Sequence, residues 1–339
     1  MTWRDDETDL KETMRDGSGG ASRTLPEGSL DGTVSDDSGG MVRTILETSD
    51  APAPGRGPGL PPALAQRFKI VWPFPARGYE ADLYLVADAK GEWVAKVYRW
   101  KITPKEAVLE KIRDADRRHV VGLEAFGSSG GRWWELLEYA PHGTLHEWLK
   151  QRGRKPDPAL ARVVLRELAA ALAHLHGLNI VHRDLKPGNV LVRRREPLDL
   201  VLTDFGIASV VEGTGRITST ARTLKYAPPE AMGTVTVDAQ GRSRNVATAS
   251  RRGDYWSLGM ILVEVLTGCH PFDDADDVVI GQRLSTMDTD ALSEGISDPA
   301  WRTLCRGLLR RAPAHRWGAE QVALWLEDPN NASLTVAVD

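Results

Sequence analysis

The sequence predicts an α+β fold with two lobes, a small N-terminal lobe rich in strands and a larger helical lobe after it. Two observations carry this prediction. Between residues 68 and 140, short runs of β-branched and aromatic residues alternate with turns that contain glycine or aspartate, which is typical of strands. After residue 141, apolar residues recur at helical spacing over longer stretches. Strands followed by helices along one chain indicate an α+β architecture.

The strand-rich part is predicted to contain four strands and one short helix. The turn Asp88–Gly91 separates the first two strands, and the helix is expected to begin at Pro104. The strands are predicted over Asp82–Ala87, Trp93–Tyr98, Val121–Phe126 and Trp133–Glu138.

The clearest helix of the second lobe has Asp157 as its N-cap and Pro158 at its first position. Its apolar residues between Leu160 and Leu175 share one face, which predicts a buried stripe, and the pattern ends before Gly177. Two later helices are predicted over Trp256–Leu266 and Trp301–Leu309.

The formal net charge of −4 is unevenly distributed along the 339 residues. Residues 1–50 contain 5 lysines and arginines against 12 aspartates and glutamates, whereas the rest contains 38 against 35. Proteins that bind nucleic acid concentrate lysine and arginine in patches. Since the chain has no basic run, we predict no nucleic-acid partner.

Two cysteines, Cys269 and Cys305, are too few for a disulfide framework or a cysteine-rich metal site. They fit a reducing, cytoplasmic environment. The chain does not begin with the basic and then apolar order of a secretory signal, and no stretch approaches about 18 apolar residues. We therefore expect a cytoplasmic protein without a membrane span.

Residues 1–63 are predicted to form a disordered acidic arm, because they are rich in glycine, serine and proline and contain few large apolar side chains. A pattern Ser-Gly-Gly-x-x-Arg-Thr-x-x-Glu-x-Ser occurs twice in it, with its threonines at Thr24 and Thr44. The repeat is either incidental or a pair of short motifs. Phosphorylated, the two threonines would offer a docking signal to a phosphothreonine-binding partner.

The strongest chemical motif is His182-Arg-Asp-Leu-Lys-Pro-Gly-Asn189. Phosphoryl transfer needs a carboxylate to accept a hydroxyl proton, a cation near the migrating phosphate and an oxygen ligand for Mg²⁺. Asp184, Lys186 and Asn189 supply these three groups. The motif resembles the catalytic loop of the eukaryotic-like serine/threonine protein kinase family, in the bacterial type of catalytic domain, and Lys186 favours serine and threonine over tyrosine as acceptors.

Two further motifs extend the resemblance to the metal and phosphate sites. Asp204 in Thr203-Asp-Phe-Gly206 implies a second ligand for Mg²⁺, or for Mn²⁺ in its place. Lys96 lies in an apolar strand, where an ammonium is costly unless it faces an anion, here the phosphates of ATP. The resemblance implies a glutamate partner for Lys96 on the following helix. The spacing favours Glu110, and Glu106 remains open.

The loop that should cover the phosphates departs from the family pattern of three glycines. It reads Ala76-Arg-Gly78-Tyr-Glu-Ala81-Asp-Leu83, in which only the middle glycine is present. Alanine restricts the backbone where glycine would permit close approach to phosphate. The resemblance implies that Gly78, Ala81 and Leu83 contact the nucleotide. This departure keeps open a pseudokinase that binds nucleotide or acts as a scaffold without catalysis.

Two connecting segments are assigned by the same resemblance. In the hinge between the lobes, the backbone of Glu138 and Ala140 is expected to bind adenine, with Leu137 as the gatekeeper. The activation segment is expected to end at Glu230, with Thr218 or Thr220 as a phosphosite that docks on an arginine of the catalytic loop.

The resemblance also implies two structural anchors, Asp254 for the catalytic loop and Arg316 for Glu230. The chain is thus divided into the arm 1–63, an N-lobe with hinge over 64–140, a C-lobe over 141–327 and a tail over 328–339. The polar segment at about 233–253 is predicted to be an inserted surface loop.

The sequence therefore predicts a bilobal protein-kinase-like fold that transfers the γ-phosphoryl group of ATP to protein serine and threonine residues, its own included. The expected partners are protein substrates. A pseudokinase is the alternative. A small-molecule kinase of related fold is disfavoured, because the chain has a full activation segment.

Overall fold

The computed structural model describes residues 59–75, 81–99, 102–205, 209–210, 216–218, 224–232, 234–237, 243–248 and 250–334. For residues 209–210, 216–218, 232, 234–237 and 243–248 it describes the backbone alone. The predicted sites at Thr24, Thr44, Gly78 and Thr220 lie outside the described residues.

A five-stranded antiparallel sheet forms the N-lobe, with strand order β1-β2-β3-β5-β4. A helix α2, Glu106–Arg113, connects β3 to β4 and starts two residues after the predicted Pro104. The sheet confirms the small β-rich lobe. Three of the four predicted strands lie within its members, and the prediction Val121–Phe126 begins two residues before the strand that starts at Leu123. The strands are β1 Lys69–Pro73, β2 Ala81–Asp88, β3 Gly91–Tyr98, β4 Leu123–Ser129 and β5 Arg132–Glu138.

Residues 59–68 lie across the outer face of this sheet. They include the short helix α1, Pro62–Ala65. Leu64 and Phe68 pack there against Tyr84 and Val86 of β2 in a separate hydrophobic cluster. The predicted arm ends at residue 63, so its last five residues belong to the part of the chain that covers the sheet. The opposite face of the sheet remains for the cleft between the lobes.

The C-lobe is helical and is built around α5, Arg251–Thr267. Every residue of α5 from Gly253 to Leu266 is buried, as expected for a helix that is apolar on most sides. The predicted cap of the helix α4, Pro158–Gly177, is confirmed, because the Asp157 carboxylate accepts a hydrogen bond of 2.9 Å from the Leu160 amide. The other helices are α3 Leu145–Gln151, α4 Pro158–Gly177, α6 Asp277–Thr286, α7 Pro299–Leu308 and α8 Ala319–Glu327.

Short strands and turns between α4 and α5 carry the polar motifs. Strand β7, Val190–Arg195, pairs with β8, Leu198–Leu202, as an antiparallel hairpin. Strand β6, Ile180–Val181, pairs with β9, Ser209–Val210. This pairing places the two ends of the motif region next to each other at the lobe interface.

The segment predicted as an inserted loop contains two strands, β11 Thr234–Val237 and β12 Ser243–Thr248. Strand β12 lies between β11 and β10, Arg216–Thr218, in a three-stranded antiparallel sheet. Its Val246 is opposite Thr218 on one side and Thr234 on the other. The alternation Thr-Val-Thr-Val is a strand signal that the polar flanking residues conceal. Of the predicted loop, residues 251–253 belong to α5.

No helix in the described ranges combines the length and the apolar character that crossing a membrane requires.

Candidate active site

The catalytic-loop side chains converge on one carboxylate. Lys186 Nζ lies 2.7 Å from Asp184 Oδ2, and Asn189 Nδ2 donates to the same oxygen at 3.0 Å. Asn189 Nδ2 also donates to the Asp184 carbonyl oxygen at 2.8 Å. Both amide hydrogens are therefore used on Asp184. Among the described residues no donor bonds to Asn189 Oδ1, so this oxygen is available to a cation.

Asp254 of α5 anchors the backbone of the catalytic loop. Its fully buried carboxylate accepts hydrogen bonds from the amides of His182 at 3.0 Å and Arg183 at 2.9 Å. Arg183 has a φ of 72°, a left-handed conformation that is unfavourable for a side chain of this size. The two charge-assisted bonds stabilise this backbone, as the sequence predicted for Asp254.

Lys96 of β3 reaches across the cleft to Asp204, the second residue after β8. The Nζ to Oδ1 distance is 2.7 Å. Burial works against the charged ammonium, but the carboxylates of Asp204 and Glu135 outweigh it and hold the pKa of Lys96 well above its ordinary value. Lys96 in turn lowers the pKa of Asp204 to about 2. At neutral pH Lys96 and Asp204 are therefore both charged and form an ion pair.

The expected pairing of Lys96 with a glutamate of α2 is not formed. Glu106 and Glu110 both lie exposed on the outer side of that helix. Its buried side chains are Val108, Leu109 and Ile112, which pack into the main hydrophobic core.

The apolar face of α2 explains this departure from the prediction. Turning α2 to bring Glu110 inward would expose those side chains, at roughly 1.5–3 kcal/mol for each. A buried ion pair returns little net free energy, because desolvation offsets most of its attraction. Apolar burial therefore decides the orientation of the helix.

A glutamate that the sequence analysis missed lies beside Lys96 instead. Glu135 of β5 is directly opposite Lys96 in the β3–β5 register and is 4 % exposed. The Tyr98 hydroxyl donates a hydrogen bond to Glu135 Oε1. The sequence held a signal for this residue, since a glutamate in the apolar strand Trp133–Glu138 must face either solvent or a partner.

The cleft face of the sheet carries the predicted nucleotide contacts. Leu83 is opposite Lys96, and Ala81 is opposite Tyr98, in the β2–β3 register. Cross-strand partners have side chains on the same face of a sheet. Leu83 and Ala81 thus share the face of Lys96, while Gly78 lies outside the described residues.

The hinge follows β5 directly. The side chain of Glu138 turns away from the cleft, with its Oε1 2.7 Å from Arg193 Nε and its Oε2 accepting from the Gly122 amide at 3.1 Å. These contacts leave only the backbone of Glu138 for a ligand, in agreement with the backbone role expected there. Leu137 and Ala140 are buried beside it.

The donor set fits a divalent cation that arrives with phosphates. Asp204 is an anion, and Asn189, with its Oδ1 available, is bonded to Asp184 through Nδ2. In the ranges that the structure describes, no group of three or more His, Cys, Asp or Glu side chains is arranged to hold a metal. Mg²⁺ is typically held by one or two protein oxygens together with substrate phosphates, so these residues suit it.

The end of the activation segment is fixed by the predicted ion pair. Arg316, which is 1 % exposed, binds Glu230 through two bonds, from Nη1 to Oε1 at 2.6 Å and from Nη2 to Oε2 at 2.8 Å. Such bidentate pairs fix orientation as well as distance. Of the two predicted phosphosites nearby, Thr218 lies in β10, where the backbone alone is described.

Comparison with known proteins agrees with this geometry. A family model described as the protein kinase domain matches residues 96–324. Tribbles homolog 3 of Homo sapiens is 35% identical over 258 residues, which cover 75% of this chain and 68% of that protein. Tribbles homolog 3 of Bos taurus is 32% identical over 239 residues, which cover 70% of this chain and 63% of that protein.

Serine/threonine kinases are also among the similar proteins. The serine/threonine-protein kinase AtPK2/AtPK19 of Arabidopsis thaliana is 30% identical over 239 residues, which cover 66% of this chain and 46% of that protein. The chain thus spans about half the length of this kinase. The family model begins at Lys96 and includes the catalytic loop, the Asp204 motif and Arg316. The chain belongs to the protein kinase domain family.

Proposed function

We propose that the chain is an ATP-dependent protein kinase that phosphorylates serine and threonine hydroxyls of proteins, its own included. The observation that carries this proposal is the convergence of two side chains on Asp184 Oδ2, with Lys186 Nζ at 2.7 Å and Asn189 Nδ2 at 3.0 Å. Serine/threonine kinases among its relatives support the same acceptor residues.

ATP would supply the γ-phosphoryl group, and Mg²⁺, or Mn²⁺ in its place, would neutralise charge on its phosphate oxygens. Asp184 would orient the acceptor hydroxyl and take its proton. Its Oδ2 already accepts hydrogen bonds from Lys186 and Asn189. Among the described residues no donor bonds to Oδ1, so Oδ1 would be the oxygen that takes the proton.

The remaining side chains would stabilise charge. Lys186 lies beside Asp184 and would offset negative charge on the migrating phosphoryl group. Asn189 Oδ1 and the Asp204 carboxylate would hold the cation, and Lys96 would contact the phosphates. Backbone groups of Glu138 and Ala140 would bind adenine, while Ala81 and Leu83 of β2 and Gly78 of the preceding loop would contact the nucleotide.

Regulation and partners follow from the same assignment. Thr218 or Thr220, once phosphorylated, would dock on Arg183 and order the activation segment. Thr24 and Thr44 would be further phosphorylation sites on an acidic arm that presents them to a phosphothreonine-binding partner. We place the enzyme in the cytoplasm, which is consistent with its two unpaired cysteines.

A pseudokinase is the second candidate, favoured by two observations. The loop over residues 76–83 has one glycine where the family has three, and Lys96 is paired with Asp204 instead of a glutamate of α2. Such a protein would bind nucleotide and act as a scaffold.

Incubation with Mg²⁺ and ATP, followed by phosphosite mapping by mass spectrometry, separates the two candidates. The kinase proposal expects new phosphate on serine or threonine, including Thr218 or Thr220 and Thr24 or Thr44. Phosphate on none of the chain's residues and none on a generic protein substrate, with nucleotide bound, would establish the pseudokinase.

A further inference from the structure

Lys96 loses part of the charge compensation from Asp204 when the site is in use. In the present structure Asp204 is its ion-pair partner at 2.7 Å. The proposed function assigns Asp204 to a cation, and a carboxylate bound to a cation no longer compensates a neighbouring ammonium fully. Because Lys96 is only 7 % exposed, a second carboxylate beside it would then help to keep it charged and oriented toward the phosphates.

The helix α2 does not provide that group. Glu106 and Glu110 are exposed, and the helix faces the core through Val108, Leu109 and Ile112. The carboxylate must therefore come from another element that borders Lys96.

Glu135 of β5 meets the requirement. It is the direct cross-strand neighbour of Lys96, and such neighbours have Cβ atoms about 4.5–5.5 Å apart on one face of the sheet. At 4 % exposure, Glu135 is the buried acidic residue on that face. A glutamate is rarely this buried without a partner.

Tyr98 orients the pair. It lies two residues after Lys96 on β3, so both side chains point to the same face. Its hydroxyl donates to Glu135 Oε1, and Lys96 Nζ lies 4.9 Å from the centroid of its ring, within the range of a cation–π contact. Tyr98 therefore contacts both charged side chains and fixes their separation.

We propose that Glu135, supported by Tyr98, is the positioning residue that holds Lys96 toward the nucleotide phosphates, in place of a glutamate of α2. The proposal rests on the proposed function only for the binding of ATP, and it holds for an active kinase and for a nucleotide-binding pseudokinase alike. Glu135 acts through Lys96 and does not contact the substrate.

The test compares Glu135→Gln with Glu110→Gln in the full chain, by isothermal titration with Mg²⁺-ATP and separately with adenosine. Glutamine keeps the size of the side chain and an oxygen for Tyr98, but removes the charge. We expect Glu135→Gln to weaken ATP binding about ten-fold and to leave adenosine binding unchanged, because Lys96 acts on phosphates. Glu110→Gln should change neither affinity by more than about two-fold.

A double-mutant cycle distinguishes positioning from a general structural role. On a Lys96→Met background, Glu135→Gln should cause no further loss of ATP affinity, whereas a merely structural role predicts the same loss on both backgrounds. Glu135→Asp should restore part of the affinity. Should Glu135→Gln fail to fold, Tyr98→Phe takes its place, with an expected loss of about three-fold for ATP and none for adenosine.

The outcomes separate this inference from the proposed function. ATP binding that depends on Glu135, without phosphoryl transfer, would sustain the inference and refute the kinase activity. Weaker ATP binding in Glu110→Gln together with unchanged binding in Glu135→Gln or Tyr98→Phe would overturn the inference. Absence of ATP binding in the wild-type chain would overturn both.

Discussion

Lys96 Nζ lies 2.7 Å from Asp204 Oδ1, which joins β3 of the N-lobe to the residue that follows β8. In the proposed function Lys96 faces the phosphates and Asp204 holds the metal. Each residue shifts the pKa of the other so that both stay charged. Nucleotide affinity should therefore depend on both members of the pair.

Replacing Lys96 with methionine should weaken Mg²⁺-ATP binding by about 10- to 100-fold, since hydrogen bonds to charged groups contribute roughly 1.5–3 kcal/mol. It should also return the pKa of Asp204 toward its ordinary value, because Lys96 is the main cause of the lowering. Isothermal titration measures the first effect. Lys90→Met, in the exposed turn between β2 and β3, is the matched control. Equal ATP affinity in the two variants would contradict the role of Lys96.

The bond between Arg316 and Glu230 predicts a large effect on stability. Glu230→Gln leaves the buried guanidinium without its anion, and breaking a buried pair in this way costs about 3–5 kcal/mol. Urea denaturation measures the free energy of unfolding. As a control, Glu320→Gln at the exposed start of α8 should change it by less than about 0.5 kcal/mol. If both variants unfold at the same urea concentration, the ion pair does not fix this region.

Replacing two helical glycines with alanine should change the stability of the chain in opposite directions. A Cβ at Gly307 of α7 would overlap the ring of Trp317, so Gly307→Ala should destabilise the chain by about 1–3 kcal/mol. A Cβ at Gly281 of α6 meets nothing within 4 Å. Gly281→Ala should stabilise by about 0.5–1 kcal/mol, because alanine loses less backbone entropy in a helix. Thermal unfolding midpoints that fall in both variants would contradict this packing.

His270 predicts a loss of stability in acid. Burial lowers its pKa to about 4, while an unfolded chain has a histidine pKa near 6.5. As the pH falls, His270 therefore binds a proton in the unfolded chain before it does so in the folded chain. The stabilisation of the folded state by neutral His270 is complete above about pH 6.5 and is lost as the pH falls to about 4. The loss should reach about 3 kcal/mol.

Urea denaturation between pH 7 and pH 4 measures this effect. His270→Gln should flatten that part of the pH dependence, whereas the exposed control His315→Gln should retain it. Equal slopes in the wild-type chain and in His270→Gln would show that His270 does not titrate in this range.

Local signals in the sequence predict most of the fold and the centre of the site. Asp157 and Pro158 fix the start of α4 through their own capping chemistry. The motif from His182 to Asn189 carries Asp184 and the two side chains that converge on it. Both depend on residues that are neighbours in sequence, where spacing alone determines geometry.

The partner of Lys96 could not be predicted in the same way. Whether Glu110 points inward depends on the rotation of α2, which is decided by the burial of Val108, Leu109 and Ile112 against the rest of the molecule. The nearness of Glu135 depends on the register between β3 and β5, and register is a tertiary property. The strands β11 and β12 were missed because polar flanking residues conceal their alternation, and because β10, the second partner of β12, lies in another segment.

The rate of phosphoryl transfer in Asp184→Asn, set beside its affinity for Mg²⁺-ATP, tests the central claim most directly. We predict that transfer to a protein substrate falls by about 10²–10⁴-fold, because the base is lost, while ATP affinity stays within about two-fold of the wild-type value. Transfer at the wild-type rate in Asp184→Asn would contradict the assignment of Asp184 as the catalytic base.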